Sequence, residues 1–346
     1  MASFRRDDTV EAPVVADRAR ASGRLRNQLV PVLGAAGLGL LVYLIAELGP
    51  ARIAAQLHGL GSVLPAVMVL TGAKYPLQTA GWRLALPRHA RPPWGESISA
   101  TITGDALGYL TWAGPFTGEP IRALLIRSSV PVAAGIAAGA IERALYNATA
   151  ALLVWVVLLG LLSATHKLAL VAALVVSALG VAAPVALVRG RIRPRHAANQ
   201  RPPPVDRAPS GETGWVKGST AFLKAARELW RDRREVLPGI ALLCFAQHAI
   251  LVGEAYLMLG ALGAGTNLRT AFVFEAVTKI VNTAGLLVPG RLGVSEGGSA
   301  LLAGALGFAA SHGLSLALMR RVRALIWAVV GLALLPFLEA RARSSR

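Results

Sequence analysis

The sequence predicts an all-α, polytopic integral membrane protein with about seven to nine hydrophobic segments, because apolar runs of about 20 residues, enough for a helix to cross the hydrocarbon core, recur along the whole chain. Its 346 residues are 54% hydrophobic and only 16% charged, with a mean hydropathy of +0.54, which is too apolar for a soluble domain. A charged motif also recurs after 177 residues. We therefore expect two re-entrant or broken elements in inverted repeats.

The amino-terminal residues 1–28 are predicted to form a cytoplasmic tail. They are polar, and four arginines stand just before the first apolar run at 29–48. Basic residues mark the cytoplasmic side of a membrane protein. The run lacks the small-x-small exit of a cleaved signal, which indicates a retained anchor and a membrane domain spanning 29–340.

Further apolar segments follow at 62–83, 98–113, 132–162, 168–188, 237–262, 271–288, 299–310 and 316–337. The long polar insertion between them, residues 189–235, is rich in arginine and proline and is predicted to be a cytoplasmic loop. Within it we expect an extended linker followed by a membrane-surface helix, or simply a solvated segment.

Charge distribution predicts that the segment at 98–113 dips into the membrane and returns. It is short, contains Gly104 and Gly108, and leads into Arg122 and Arg127, which a full crossing would place outside. By the same rule the second copy, beginning near 271, enters from the outside. Three crossings separate the copies, about 97–163 and 271–340, and an odd number inverts them. The segment at 299–310 is too short to span alone and is interpreted as a half-helix.

The repeat itself places Glu119 opposite Glu296 and Arg143 opposite Arg320, in each case 177 positions apart. The Ala-Leu-Leu triplets at 123–125 and 300–302 keep the same spacing. Internal repeats in transporters often form one site from two halves. We therefore predict that Glu119 and Glu296 are counterparts near the middle of the membrane.

In the first copy, the motif Gly114-Pro115-Phe116-Thr117-Gly118-Glu119-Pro120-Ile121-Arg122 contains enough glycine and proline to predict irregular backbone. Such backbone is tolerated at membrane depth where it is buried in protein or lines a polar cavity. Glu119 and Arg122 are three residues apart and are predicted to pair across one helical turn. The alternative is a turn at the cytoplasmic interface.

Glu142 and Arg143 lie inside the apolar run 132–162, where each charge costs about 2.5 to 3.5 kcal/mol if it faces lipid. Adjacent helical residues point about 100° apart, so the two cannot neutralise each other well. We expect partners on other helices or on a ligand, with a structural salt bridge as the rival interpretation.

In the second copy, the broken element is Pro289-Gly290-Arg291-Leu292-Gly293, followed by Glu296 and, further on, by Arg320, Arg321 and Arg323. The guanidinium group binds phosphate in bidentate fashion and always keeps its charge, so these arginines suit a phosphorylated headgroup. Interfacial snorkelling is the alternative for the three later arginines. Glu275 and Lys279, four apart, are predicted to form an intrahelical pair.

The net charge of +18 does not indicate nucleic-acid binding, because most of the positive charge lies in the tails and one loop. With a single cysteine, Cys244, the chain can form no intrachain disulfide. Metal-binding, Walker A and nucleophile-elbow patterns are missing from the sequence, so we expect no cofactor, no metal and no enzymatic activity.

The chain resembles the membrane domain of the lysylphosphatidylglycerol synthase family, a flippase-like family, over roughly residues 29–337. In the first half the resemblance rests on Gly118-Glu119-x-x-Arg122 and Glu142-Arg143, and in the second on Pro289-Gly290-x-x-Gly293-x-x-Glu296 and the arginines near 320. Arg291 stands where the family more often has a second glycine. The resemblance implies a lipid-translocating fold with two re-entrant elements in inverted repeats.

The resemblance also limits the expected activity. Synthase members carry a soluble aminoacyl-transferase domain after the membrane part, whereas about ten polar residues follow the last apolar run here, so lysyl transfer is not expected. We predict a flippase-like transporter in the bacterial inner membrane that moves a lipid with an anionic or phosphate-bearing headgroup. Glu119, Glu142 and Glu296 are the candidate proton carriers. The alternative is an accessory protein or enzyme of lipid or hopanoid biosynthesis that does not translocate its lipid.

Overall fold

The computed structural model describes residues 38–111, 115–162, 234–285, 288 and 291–344, and these residues form ten α-helices and no strand. Two single 3₁₀ turns, Arg88–Ala90 and Arg234–Val236, precede α4 and α7. In chain order the helices are α1 Leu38–Leu48, α2 Pro50–Gly61, α3 Leu64–Ala85, α4 Trp94–Leu110, α5 Pro115–Leu125, α6 Val132–Leu162, α7 Leu237–Ala261, α8 Leu268–Ala284, α9 Val294–Ala305 and α10 Ala310–Ser344.

The all-α prediction is confirmed for the described residues, and most apolar segments coincide with helices. The run at 132–162 is α6 itself, and the run at 237–262 is α7 to within one residue. The half-helix placed at 299–310 is α9, which begins and ends about five residues earlier. The apolar segment at 168–188 and the basic loop lie outside the described residues, except for the last two residues of that loop.

Three of the described helical stretches are long and apolar enough to cross a membrane, namely Val132–Leu159, Arg234–Ala261 and Ala310–Arg341. A fourth span results if α1 and α2, which meet at 94°, count together. The protein is therefore membrane-embedded and helical, whereas a total of seven to nine segments is not confirmed. In α3 the polar side chains of Thr71, Gln78 and Thr79 are buried in protein, which fits a helix surrounded by other helices.

Two pairs of shorter helices form hairpins. In the first, α4 packs along α5. Gly104 of α4 lies so close to α5 that a Cβ added to it would be 2.9 Å from the Gly118 carbonyl oxygen. In the second, α8 packs along α9, where Gly298 faces Val281. A long helix follows each hairpin, α6 after the first and α10 after the second. Small residues let these backbones approach closely.

The expectation of irregular backbone from Gly114 to Arg122 is wrong for most of that range. Residues Pro115–Leu125 form α5. Pro115 occupies the first helical position, where its missing N–H would be unsatisfied in any case, so only Pro120 interrupts the hydrogen-bond ladder. In the second hairpin the break is longer, because α9 begins only at Val294, after Arg291 with φ 54° and Gly293 with φ 75°.

Helices α3 and α7, which occupy corresponding places in the two halves, pack against each other in antiparallel orientation. Thr71 bonds to Glu254 near the middle of the pair, and toward the other end Leu84 lies opposite Gly239. Helix α4 also runs antiparallel to α10, since Thr103 donates to the Gly331 carbonyl and Glu96 lies 3.7 Å from Arg341.

Two apolar clusters lie at opposite ends of the α3–α7 pair. One contains Trp82, Ile126 and Cys244, and the other contains Leu259, Ala303 and Val67. Trp82 and Ile126 lie 177 positions before Leu259 and Ala303, and Cys244 lies 177 positions after Val67. Each cluster therefore combines residues from both halves of the chain. Corresponding helices therefore build equivalent cores at the two ends of the molecule.

Candidate functional site

Most of the buried charged side chains in the described helices gather into four clusters, each centred on one buried carboxylate, and a fifth buried carboxylate, Glu96 of α4, lies 3.7 Å from Arg341 of α10. The first cluster is centred on Glu119 of α5, which binds Arg122 on the same helix and Arg143 on α6, the latter at 3.1 Å. Glu119 is 8% exposed and Arg122 only 2%. The predicted contact between Glu119 and Arg122 is present, and Arg143 finds its partner on another helix as expected.

Two features of the neighbouring helices hold the first cluster in place. The guanidinium carbon of Arg122 lies 4.8 Å from the centre of the Trp82 ring, a cation–π contact. The Trp82 indole donates a 3.1 Å hydrogen bond to the Gly135 carbonyl, which orients the ring. Gly139 of α6 lies directly against the Glu119 carboxylate, so a side chain there would collide with it.

The second cluster repeats this arrangement at the other hairpin. Glu296, on the first turn of α9, is fully buried and binds Arg321 of α10, while the Ser295 hydroxyl donates to its Oε2 at 2.9 Å. Arg321 also donates to the Arg291 carbonyl at 3.3 Å. The partner of Glu296 is thus Arg321 rather than Arg320, which the constant spacing of 177 had placed opposite Arg143.

The third cluster is centred on Glu275 of α8, which binds Lys279 at 2.7 Å and Arg320 at 2.5 Å. The intrahelical pair predicted for Glu275 and Lys279 is confirmed. Lys279 also donates to the hydroxyl of Tyr146 at 3.2 Å, which connects this cluster to α6 in the first half.

The fourth cluster went unrecognised in the sequence. Glu254 of α7 has no exposed surface, binds Arg323 of α10, and accepts a 2.7 Å hydrogen bond from Thr71 of α3. A single glutamate inside the apolar run 237–262 is the same signal that identified Glu142, and it would have identified Glu254 too. The structure therefore does not place Arg320, Arg321 and Arg323 as snorkelling groups, since each binds a buried carboxylate.

Three arginines from the two halves, Arg143, Arg291 and Arg321, lie within electrostatic range of one another. The positive charges of Arg143 and Arg321 both act on the Arg291 guanidinium, and Tyr146 interacts with Arg291 as well. Arg143 remains 32% exposed along its side chain, and Arg321 remains 21% exposed. Among the described residues no carboxylate forms an ion pair with Arg291. This group, the arginine triad, therefore carries more positive charge than its carboxylates neutralise.

Glu142 differs from the four central carboxylates. It is 2% exposed, lies on α6 beside Arg143, and forms no ion pair with any described residue. Its Oε2 is buried without a hydrogen-bond partner. The structure thus separates Glu142 from Glu119 and Glu296, with which the sequence grouped it.

The remaining predicted site residues are in or beside the hairpin breaks. Gly118 packs against Gly104, Gly293 directly precedes α9, and Pro115 begins α5, while Gly114, Pro289 and Gly290 lie outside the described residues. Within the described ranges, no group of three His, Cys, Asp or Glu side chains is placed to hold a metal ion.

A bundle of apolar helices with two helical hairpins and buried arginine–carboxylate clusters defines a polytopic membrane protein with a polar interior. The family model for the lysylphosphatidylglycerol synthase TM region matches residues 28–333. The chain belongs to this family, which relates it to membrane lipid handling and confirms the resemblance inferred from the motifs. No curated protein and no solved structure matches the chain significantly.

Proposed function

We propose that the protein is a flippase-like transporter that binds and translocates a phospholipid or another envelope lipid with a phosphate-bearing headgroup. The observation that carries the proposal is the arginine triad, Arg143, Arg291 and Arg321, drawn from both halves of the chain. The proposed setting is the inner membrane, with the amino terminus and the 189–235 loop in the cytoplasm.

The electrostatics of the triad favour an anionic ligand. Arg143 pairs with Glu119 and Arg321 pairs with Glu296, whereas Arg291 has no ion pair with a described carboxylate, so its positive charge is left over. A guanidinium fork donates two parallel hydrogen bonds to phosphate, and an additional anion would relieve the repulsion among the three cations. A lipid phosphate entering from the bilayer supplies that anion without adding a positive charge.

The fold suits movement between two leaflets. The antiparallel packing of α3 on α7, which are corresponding helices of the two halves, is the arrangement that a two-fold axis in the membrane plane produces between inverted repeats. A headgroup held between the two hairpins would then face alternately the two sides as one half moves against the other. The lipid tails would remain in the bilayer, which the exposed apolar faces of α6 and α10 contact.

Reconstitution into vesicles with a fluorescent phospholipid tests the proposal. We expect protein-dependent transfer between leaflets, reduced at least about tenfold by Arg291→Gln, because losing one charge-assisted contact removes about 1.5 kcal/mol or more. Arg269→Gln, at an exposed position on α8, is the matched control and should retain full transfer.

Equal transfer with and without protein would overturn the proposal. Lipid analysis of a deletion strain adds a second criterion. An unchanged total with altered leaflet exposure supports transport, whereas loss of one lipid species would indicate the biosynthetic alternative instead.

A further inference from the structure

The described helices contain one carboxylate in the middle of a long span that nothing neutralises. Glu142 is ten residues into α6, is 2% exposed to solvent, and has no ion pair with a described residue. Leaving an ionised carboxylate buried without partners costs many kcal/mol, and such a group normally takes up a proton instead.

The charged groups facing Glu142 do not provide the missing positive charge. Arg143 on α6 and Arg122 on α5 are the cations, and Glu119 on α5 and Asp105 on α4 are the anions that act on it. Two positive and two negative charges already cancel. An ionised Glu142 would therefore add an unbalanced negative charge to the interior.

The other helices packed directly against Glu142 contribute no cation either. Helix α3 presents Gly81, where an added Cβ would lie 3.4 Å from the Glu142 Cγ, and α7 presents the Cys244 thiol. Neither of these helices brings a positive charge to the Glu142 carboxylate.

The basic side chains further along α7 and α8 are directed to other partners. The imidazole of His248 on α7 lies 3.1 Å from the Thr149 hydroxyl and 3.2 Å from the Tyr146 carbonyl. Lys279 on α8 binds Glu275 and the Tyr146 hydroxyl. Neither group is therefore positioned to neutralise Glu142.

Comparison of the two halves shows that the second half has no carboxylate at the position corresponding to Glu142. Glu119–Arg143 and Glu296–Arg321 are equivalent contacts, so Glu142, one residue before Arg143, corresponds to Arg320. Arg320 is neutralised by Glu275, which belongs to the first hairpin helix of its own half. In α4, the corresponding stretch at 98–101 is Ile-Ser-Ala-Thr, which offers no charge. The second half balances its buried charge and the first half does not.

We propose that Glu142 is a proton-binding site of the membrane domain, which holds a proton in the conformation described here and releases it when the surrounding helices rearrange. Only an O–H bond forms and breaks, and the proton comes from and returns to water. Its use rests on the proposed function: a lipid transporter with such a group can draw on the proton gradient.

Infrared spectroscopy of the protein in lipid tests the site directly and does not depend on transport. A protonated, buried carboxyl group gives a C=O band above the amide bands. We expect this band in the wild type at neutral pH and its loss in Glu142→Gln, whereas Glu47→Gln, an exposed carboxyl on α1, should leave it unchanged. A wild-type spectrum without the band, or a band that survives in Glu142→Gln, would overturn the proposal.

A second measurement covers the case in which Glu142→Gln does not fold. Carboxyl-labelled glutamate should shift the band of the wild type, and Glu142→Asp should move it to the position of an aspartic acid. No shift in either sample counts against the site. Failure of the proposed function is separately visible, since vesicles without protein-dependent lipid transfer would refute transport while the infrared band would still report the bound proton.

Discussion

Three arginines close together on α10 point to three different helices. Their carboxylate partners are on α8, α9 and α7, in the pairs Arg320–Glu275, Arg321–Glu296 and Arg323–Glu254. Successive helical residues point about 100° apart, so a short stretch of one helix can contact neighbours on several sides. These ion pairs connect α10 to both helices of the second hairpin and to α7.

Removing one member of such a pair should cost more than removing both. In Glu296→Gln the half-buried Arg321 loses its carboxylate, and we expect a loss of about 3 kcal/mol in unfolding free energy, since a largely desolvated charge loses its ion pair. The double variant Glu296→Gln with Arg321→Gln should recover part of that loss. Thermal or denaturant unfolding in detergent, analysed as a double-mutant cycle, measures both.

An additive result would contradict this expectation, because independent sites show no coupling energy. Arg269→Gln, at an exposed position on α8, provides the control for a change of net charge alone. It should leave the midpoint of unfolding nearly unchanged.

At the scale of helices, the first hairpin depends on glycine where its two helices come closest. Gly104 on α4 faces both the Gly118 carbonyl and Arg122, whose Cβ would lie 3.0 Å from an added Cβ. Backbone atoms cannot move aside without displacing α5. Because α5 holds Glu119 and Arg122, the separation of the two hairpin helices also determines the position of the first charged cluster.

Substitution of Gly104 by alanine should therefore destabilise the protein by about 1–3 kcal/mol through overpacking. Gly95 lies on the same helix with no atom within 4 Å of an added Cβ, so Gly95→Ala is the matched control. There the higher helix propensity of alanine should be neutral or slightly stabilising. The unfolding midpoints of the two variants measure the difference, and a Gly104→Ala protein as stable as wild type would rule out this account of the hairpin.

At the scale of the whole molecule, hydropathy and charge predicted much of the architecture. The long helices α6, α7 and α10 could be predicted because apolar runs of that length are typical of membrane-spanning helices. The Glu119–Arg122 pair also follows from spacing alone. The glycine and proline residues of α5 led to a wrong prediction of irregular backbone, since proline at a first helical position does not break a helix.

The pairing between helices could not be derived from sequence spacing. A constant offset of 177 aligns Arg143 with Arg320, but the contacts align it with Arg321, because one residue of difference rotates a helix by about 100°. The isolation of Glu142 and the partnering of Glu254 likewise depend on which helices pack together. Those contacts join residues far apart in the chain, such as Thr71 and Glu254.

The orientation of the two halves leads to a prediction about sidedness. If the repeats are inverted, the α5–α6 connection lies on the cytoplasmic side and the α9–α10 connection on the outer side. Cys244 is buried, so a Cys244→Ala background allows a single cysteine to be placed at Ser128 or at Ala309, both exposed in these connections. We expect a membrane-impermeant thiol reagent added to intact cells to label Ala309→Cys and not Ser128→Cys, with the reverse preference in inside-out vesicles. Labelling of both from one side would contradict inverted repeats, because a parallel pair of halves places equivalent connections on the same face.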